Sequence, residues 1–260
     1  MTYKFITVDR DGPVTTITLN RPEVMNALHS PMHFEMDEAL NAFAADSDQW
    51  VGIVTGAGER AFSAGNDLKW QATGGEMRSP PSGFAGLTSR FDLAKPLIAA
   101  VNGVAMGGGF EIALACDLIV ASETAVFALP EPRVGLAALA GGLHRLPRAI
   151  GVKRAMGMIL TARRVSAAEG KDLGFVFEVV PAAELMAKAK ELARTITELG
   201  PLSIRASKAA VLRGMDEPSL EAAIKGQGRY PEVSTLFKSE DFVEGPLAFA
   251  QKRAPAWKGR

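Results

Sequence analysis

The sequence predicts an α/β fold, because strands and helices alternate through the first three quarters of its 260 residues and helices dominate the rest. In the first part, short apolar or alternating runs are bounded by glycine, proline and asparagine, which is typical of buried strands. From Gly141 onward, segments with helical spacing follow one another and are separated by glycine or glycine–proline pairs. A chain of this length can bury a sizeable core.

The elements of the first part are predicted from their patterns. Val14–Asn20 alternates like a half-buried strand and ends at Arg21-Pro22. Ser30-Pro31 is typical of an N-cap followed by a first helical residue, and Met32, Met36, Leu40 and Phe43 share one face of the helix that it would begin. The segments predicted as further buried strands are Val51–Thr55, Pro96–Val101 and Asp117–Ala121.

The later elements are predicted from residues that interrupt or cap helices. The stretch Thr73–Gly86 is rich in glycine, serine and proline and is predicted to be either a mobile lid or a surface connection. The C-terminal helices are separated at Gly151, at a Ser166–Glu169 capping box, at Gly200-Pro201 and at Gly245-Pro246.

Composition indicates which classes of partner to exclude. The formal net charge is zero and both signs are scattered, so we expect neither nucleic acid nor an acidic membrane surface as a partner. The N-terminal segment resembles no targeting peptide and no apolar run approaches the roughly 20 residues that span a bilayer, so a cytoplasmic location is expected. The single cysteine, Cys116, is predicted to be a core residue, and His29, His33 and His144 are predicted to be surface or capping residues without a metal.

The segment Val101–Asp117 is the most informative, since a predicted strand leads through three glycines into an apolar helix. Gly107, Gly108 and Gly109 allow a sharp turn and close approach of a substrate to the backbone, and Glu111 lies in the first helical turn. The spacing fits neither of the common nucleotide-binding glycine loops. Free N–H groups at a helix start could instead bind a developing oxyanion beside a carboxylate, although Glu111 could also simply stabilise its own helix.

Two further loops could complete such a site. AFSAGNDLK, at Ala61–Lys69, is a second loop of small residues with backbone donors at Ala64 and Gly65. FALPEPRVG, at Phe127–Gly135, places Glu131 between two prolines that stiffen the loop. Two glutamates and two bare backbone loops predict acid/base chemistry on a carbonyl compound.

The phrases FSAGNDLK, AAVNGVAMGGGFEIALACD, FALPEPRVG and GGLHRLPRAIG resemble, in order and spacing, the enoyl-CoA hydratase/isomerase (crotonase) family over nearly the whole chain. The resemblance implies a ββα spiral core with the active site in residues 1–200 and a C-terminal helical trimerisation region in residues 201–260. It further implies a homotrimer or homohexamer that acts on an acyl-CoA thioester. No cofactor is expected beyond the coenzyme A that is part of the substrate.

Site residues carried over from this resemblance fall into four groups. Glu111 and Glu131 correspond to the paired catalytic carboxylates, and the retention of both favours a hydratase over an isomerase. Ala64 and Gly108 correspond to the oxyanion-hole donors. Substrate contacts are expected from Ala64, Gly65, Asn66, Asp67, Gly108 and Leu139, and contacts with coenzyme A across a subunit boundary from Phe249 and Lys252, although both of these could also belong to an ordinary amphipathic helix.

The acyl group is the least constrained feature. PSGFAGLTSR and SEDFVEGPLAFAQKR resemble the carnitinyl-CoA dehydratase branch of the family. The resemblance to that branch would imply an acidic residue at the position where this chain has Leu139. Leu139 is expected to narrow the acyl pocket and to disfavour a trimethylammonium group, unless Trp70, Phe84 or Phe91 forms an aromatic cage. The sequence therefore favours a general 2-enoyl-CoA hydratase. The alternatives are a carnitinyl-CoA dehydratase, an isomerase or thioester hydrolase, and a non-catalytic relative that binds acyl-CoA or RNA.

Overall fold

A computed structural model describes residues 2–260. The strands are β1 Ile6–Asp11, β2 Val14–Leu19, β3 Val51–Gly56, β4 Ala61–Ser63, β5 Leu97–Val101, β6 Val104–Met106, β7 Leu118–Ser122, β8 Val126–Ala128, β9 Val165–Ser166 and β10 Glu178–Val180. The helices are α1 Ser30–Ala45, α2 Leu68–Ala72, α3 Gly108–Ala115, α4 Gly142–Ile150, α5 Val152–Thr161, α6 Ala167–Leu173, α7 Leu185–Thr197, α8 Pro201–Gly214, α9 Leu220–Gly226, α10 Pro231–Phe237 and α11 Glu240–Ala250. The predicted strands and the helix over α1 are confirmed, with ends that differ by one residue.

The strands form two sheets between which the chain alternates. The larger sheet has the order β1-β2-β3-β5-β7-β10 and is parallel except for the β1–β2 pair. The smaller sheet has the order β4-β6-β8-β9, with β9 antiparallel. Successive pairs, β3 with β4, β5 with β6 and β7 with β8, each place one strand in each sheet and are followed by a helix. This is the expected ββα spiral.

The burial of the central strands agrees with their position in a parallel sheet that is covered on both faces. Every residue of β3 and β5 is buried, as expected of strands covered on both faces. On one face Val51, Ile53 and Ile98 pack with α7, and the other face belongs to the main core beneath α1 and α3. Cys116 lies in that main core and is 8% exposed, as predicted. Burial raises the pKa of its thiol above the usual range.

The start of α1 corrects two predictions. His29 and not Ser30 is the N-cap residue, and the Ser30 hydroxyl instead donates to the Glu76 carbonyl and accepts from the Arg78 N–H, both at 2.5 Å. His33 is buried, so its prediction as a surface or capping residue is wrong, whereas His29, although also buried, is the N-cap residue of α1 and His144 is exposed, as expected. Of the predicted capping box the serine half is confirmed, since the Ser166 hydroxyl accepts from the Glu169 N–H, while the Glu169 carboxylate forms an ion pair with Arg163.

The C-terminal helices contact the core through specific bonds. On α8, Lys208 Nζ donates to the Asp117 carboxylate at 2.8 Å and to the Lys95 carbonyl at 3.0 Å. Near the C-terminus, Trp257 Nε1 donates to the Glu198 carbonyl. In residues 2–260 no helix is both long and apolar enough to cross a membrane.

Candidate active site

The turn from β6 into α3 forms one side of the site. Gly107, the N-cap residue, has φ 53° and ψ −124°, a conformation that glycine adopts far more readily than other residues. Its N–H donates to the Ala128 carbonyl of β8, at 2.9 Å. Gly108 follows as the first helical residue, and its N–H has no carbonyl of α3 within reach. The turn therefore leaves the Gly108 N–H free for an acceptor outside the helix.

The loop after β4 forms the facing side and corrects one prediction. The Ala64 N–H donates to the Met25 carbonyl at 2.9 Å, so the prediction that Ala64 supplies an oxyanion donor is wrong. The Gly65 N–H is also occupied, by the Ser63 hydroxyl at 3.0 Å. For the Asn66 N–H, the structure of residues 2–260 has no hydrogen-bond partner.

The two loops approach closely at Gly65. A β-carbon built on Gly65 would lie 2.9 Å from the Gly108 nitrogen and 2.6 Å from the Met106 carbonyl oxygen. Since Gly65 also has a φ of +87°, only glycine fits both the conformation and the space. This contact places the free Asn66 N–H, on the residue that follows, near that of Gly108.

Glu111 is a buried carboxyl group on the first turn of α3, with 3% of the residue exposed. Its Oε1 accepts from the Gly142 N–H at the start of α4, at 2.8 Å. Burial, with a further contribution from the charge of Glu131, raises its pKa from 4.5 to about 7. The N–H groups of Gly142 and Ala140 and the charge of Arg145 oppose this rise. Glu111 can therefore exchange a proton near neutral pH.

Glu131 begins a short 3₁₀ turn, Glu131–Val134, just after β8. Its Oε1 lies close to Gly107, since a β-carbon built there would be 2.8 Å away. Its Oε2 is buried and has no hydrogen-bond partner within residues 2–260. Burial raises the pKa of this carboxyl group too, so both predicted glutamates lie at the glycine turn with pKa values above their usual range.

Asp67 has a structural role in place of the predicted substrate contact. Its Oδ2 forms an ion pair with Arg21 at 2.9 Å, and its Oδ1 accepts the Trp70 N–H as the N-cap of α2. Burial acts to raise its pKa, but the bonds from Trp70 and Arg21 prevail and the pKa is lowered. The Asn66 Nδ2 donates to Gln71 Oε1, while its buried Oδ1 and its backbone N–H have no hydrogen-bond partner within residues 2–260.

Leu139 is 80% exposed, so the prediction that it narrows a closed acyl pocket is wrong for this chain. Each of the three rings that could form an aromatic cage has another partner, since Trp70 packs against His29, Phe84 packs against His33, and Phe91 lies under Arg145. Phe249 and Lys252 are both exposed, Phe249 by 87%. The exposure of Lys252, just after α11, fits a solvated basic edge, whereas Phe249 does not pack against the chain, and contacts across a subunit boundary stay a prediction.

A cavity of about 390 Å³ adjoins the glycine turn. Met106 and Pro130 line it, and they immediately precede Gly107 and Glu131. Arg133 and Arg164 also line it. Neither Glu111 nor Glu131 lines this cavity, which meets the site only through the chain neighbours of Gly107 and Glu131.

Sequence reasoning missed two contributors to the site, the Gly142 N–H and Arg145. The double glycine Gly141-Gly142 at a helix start is the same signal that identified Gly107–Gly109, and it could have indicated a second set of free donors. Arg145 follows one turn later on α4 and bonds to the Thr88 carbonyl at 2.8 Å.

Together, two adjacent backbone donors and two proton-exchanging carboxyl groups can stabilise a developing oxyanion and move two protons. Nothing in this arrangement requires a side-chain nucleophile. The geometry suits proton transfer and water addition next to a polarised carbonyl group.

Residues 9–260 match the family described as enoyl-CoA hydratase/isomerase. The chain is 46% identical over 255 residues to a carnitinyl-CoA dehydratase of Salmonella typhi, covering 96% of this chain and 97% of that one. Its fold is similar to a crystal structure of an enoyl-CoA hydratase from Mycobacterium tuberculosis H37Rv, with a TM-score of 0.92, 36% identity, and coverage of 98% and 99%. A crystal structure of carnitinyl-CoA hydratase from Mycobacterium avium has a TM-score of 0.79 and 40% identity, with both chains fully covered.

Proposed function

The chain belongs to the enoyl-CoA hydratase/isomerase family, and from this premise we propose that it is a hydro-lyase that adds water reversibly across the 2,3 double bond of a 2-enoyl-CoA thioester. The observation that carries the proposal is the pair of carboxyl groups at a turn with a free N–H: Glu111 is buried, and Glu131 is half-buried with its Oε2 buried and unpaired within residues 2–260. An isomerase that only shuttles a proton needs one such group. Two groups suit a reaction that removes a proton from water and delivers another to carbon.

In this mechanism the thioester oxygen is bound by the N–H groups of Gly108 and Asn66. The attack of water at Cβ moves an electron pair through Cα onto this oxygen, which becomes more negative. The two N–H groups are already directed at it and therefore stabilise the transition state more than the substrate. Asn66 takes the role expected for Ala64, because its N–H is free while that of Ala64 is bound to Met25.

The two glutamates divide the proton transfers. Glu111, as carboxylate, accepts a proton from the water whose oxygen bonds to Cβ, and Glu131, as carboxylic acid, delivers a proton to Cα. One water is consumed, and its two hydrogens end on Cα and on the new hydroxyl group once the carboxyl groups have exchanged a proton. Since the groups interact, they titrate as a pair that shares one proton in the active form.

A second candidate substrate is crotonobetainyl-CoA, which the 46% identity to a carnitinyl-CoA dehydratase favours. It would present a trimethylammonium group to the acyl site. Leu139 is an exposed apolar residue that cannot pair with this charge, and Trp70 and Phe84 each pack against a histidine ring, which supports an uncharged short acyl group as the first choice.

The test measures initial rates with crotonyl-CoA and crotonobetainyl-CoA, following loss of the conjugated thioester absorbance and identifying each product by mass. We expect hydration of crotonyl-CoA with the higher kcat/KM. A preference of about tenfold or more for crotonobetainyl-CoA, which is about 1.4 kcal/mol in transition-state binding, would establish the second candidate. Failure to hydrate any 2-enoyl-CoA would refute the proposed function.

The proposed enzyme is a homotrimer or homohexamer that needs no cofactor beyond the coenzyme A of its substrate. Exposed apolar side chains on the C-terminal helices support association: Val211, Leu212, Leu220, Ile224, Phe242, Val243, Leu247 and Phe249. Such a dense apolar surface is typical of a face covered by another chain. Phe249 and Lys252 would then contact the nucleotide part of coenzyme A bound to a neighbouring subunit.

A further inference from the structure

The segment Ser82–Arg90 is tied tightly to α1. The Ser82 hydroxyl and the Arg90 guanidinium both bond to the Asp37 carboxylate, and Arg90 Nε also donates to the Gly86 carbonyl at 2.9 Å. A β-carbon built on Gly86 would lie 2.4 Å from the Asp37 α-carbon, so the segment backbone lies directly on the helix. The end of the predicted loop is therefore a fixed element.

At the centre of this segment Ala85 is fully buried in a left-handed conformation, with φ 55° and ψ 25°. This conformation is strained for a residue other than glycine, because its β-carbon approaches the following carbonyl oxygen. The Ala85 N–H donates to Nδ1 of His33, at 3.0 Å. Because Nδ1 accepts, His33 must be the neutral tautomer with its hydrogen on Nε2, and burial is the main cause that lowers its pKa to about 4. The neutral imidazole thus holds a strained turn.

The strained turn directs the Phe84 side chain at the oxyanion turn. The rings of Phe84 and His33 pack with centroids 4.4 Å apart. A β-carbon built on Gly108 would lie only 2.5 Å from Cζ of Phe84, so the ring edge touches the Gly108 α-carbon. An acyl group whose carbonyl oxygen is bound by the Gly108 N–H must therefore lie near this ring.

The other end of the segment is linked to the catalytic carboxyl group. The Phe84 N–H donates to the Thr88 hydroxyl, and the Thr88 carbonyl accepts from Arg145, whose charge acts on Glu111. The position of the Phe84 ring is thus fixed from α1 on one side and from α4 on the other.

We infer that Phe84 is the specificity-determining wall of the acyl site and that His33 is the positioning residue which, through the Ala85 N–H, holds this wall against the oxyanion turn. The inference rests on the proposed function and adds to it that the substrate class is short, unbranched 2-enoyl thioesters. A ring fixed this close to the thioester leaves little room for a long acyl chain, whereas a movable ring would admit one.

The experiment compares kcat/KM for crotonyl-CoA and trans-2-octenoyl-CoA. Phe84→Leu should raise the octenoyl-to-crotonyl ratio by about tenfold or more, the scale expected when a pocket wall is reduced by several carbon atoms. A general loss of activity lowers kcat/KM for both substrates equally and therefore leaves their ratio unchanged. An unchanged ratio in Phe84→Leu would overturn the assignment of the wall.

Two matched variants test His33. In His33→Asn the amide oxygen can occupy the position of Nδ1 and accept from Ala85, so the wild-type ratio should be kept within about threefold, less than the 1.4 kcal/mol of a tenfold change. In His33→Gln the amide lies at the position of Nε2 and leaves Ala85 without an acceptor, so the ratio should rise as in Phe84→Leu. If Asn and Gln behave alike, His33 does not act through Nδ1.

The double variant Phe84→Leu/His33→Gln should have the same ratio as Phe84→Leu, because His33 acts through the ring that is already changed. A further rise would show that His33 acts on the acyl chain directly and would overturn the positioning role. Measurements on the wild type separate failure of the two proposals. A protein that hydrates neither thioester refutes the proposed function. If it hydrates crotonyl-CoA, the proposed function stands and the variants test the role of Phe84 alone.

Discussion

Glu111 combines a useful chemical property with a structural cost. In the folded protein its pKa is about 7, against 4.5 for an unperturbed group, so the folded state binds its proton more tightly than the unfolded chain does. Between pH 4.5 and about 7 the unfolded chain has released this proton while the folded protein keeps it. The contribution of Glu111 to the free energy of unfolding therefore falls as the pH rises from 4.5 to about 7. Above about pH 7 the full cost of ionising this buried carboxyl group lowers the stability of the folded protein.

We predict that Glu111→Gln is inactive and more stable than the wild type at pH 8. Glutamine keeps an oxygen for the Gly142 N–H but has no charge to bury, so up to about 3 kcal/mol of ionisation penalty is removed. Turnover should fall by at least about a hundredfold, since the base is lost. Thermal unfolding at pH 8 and pH 5 should give a higher Tm than the wild type only at pH 8.

Glu131→Gln is the matched control for activity. It should lose turnover to a similar degree, and the double variant should lose far less than the product of the two single losses, because the groups act as a unit. Near-native activity of either single variant would contradict the two-carboxylate mechanism, and an equal gain in Tm at both pH values would contradict the ionisation argument.

The role of a residue could be predicted where its local sequence is unusual for a purely structural residue. It could not be predicted where the role depends on a contact with a remote part of the chain. An acid in an otherwise apolar helix marked Glu111, and flanking prolines marked Glu131. Ala64 and Asn66 look equally available in AFSAGNDLK, and what separates them is the Met25 carbonyl, which comes from a remote part of the chain. Leu139 was misplaced for the same reason, since its exposure depends on how the loop before α4 folds.

At the scale of the element, helix α3 contributes its N-terminus. We predict that Gly108→Pro abolishes hydration, whereas Gly108→Ala retains measurable turnover. Proline is compatible with the first position of a helix but has no N–H, while alanine keeps the donor. Both add a β-carbon that crowds Phe84, so alanine is the control for crowding.

The comparison uses kcat with crotonyl-CoA and the circular dichroism of each variant. A loss of about a hundredfold or more in the proline variant relative to alanine is the expected contribution of one oxyanion donor. Equal activity of two folded variants would show that the Gly108 N–H does not contact the reacting oxygen.

The elements themselves were largely predictable, and their arrangement was not. Alternation and apolar runs identified four of the six strands of the larger sheet, β2, β3, β5 and β7, because these are long enough to have a pattern, whereas β1 and the three-residue β10 were not predicted. The strands of the smaller sheet have two or three residues each, too few for any period to emerge. The family resemblance, and not periodicity, indicated that successive strands enter different sheets.

For the whole molecule, the C-terminal helices present apolar side chains that a lone chain would leave in water. We predict a native mass of three or six chains by light scattering at micromolar concentration. Val243→Asp combined with Leu247→Asp, one turn apart on α11, should lower that mass because charges would be buried at the contact.

Lys238→Asp is the control, since Lys238 is an exposed polar residue just before α11 and its replacement should leave the mass unchanged. A wild-type protein with the mass of one chain would contradict the proposed association. Sequence alone could not supply this surface, because helical periodicity indicates an apolar face without stating which chain covers it.

The burial of Cys116 makes the chain convenient for spectroscopy. A buried thiol with a raised pKa reacts slowly with maleimides, so the native protein should take up almost no label. A cysteine introduced at an exposed position, such as Arg78 in the segment before Phe84, would then be the single reactive thiol. A fluorophore or spin probe attached there could report how that segment moves when an acyl thioester binds, without first removing any native cysteine.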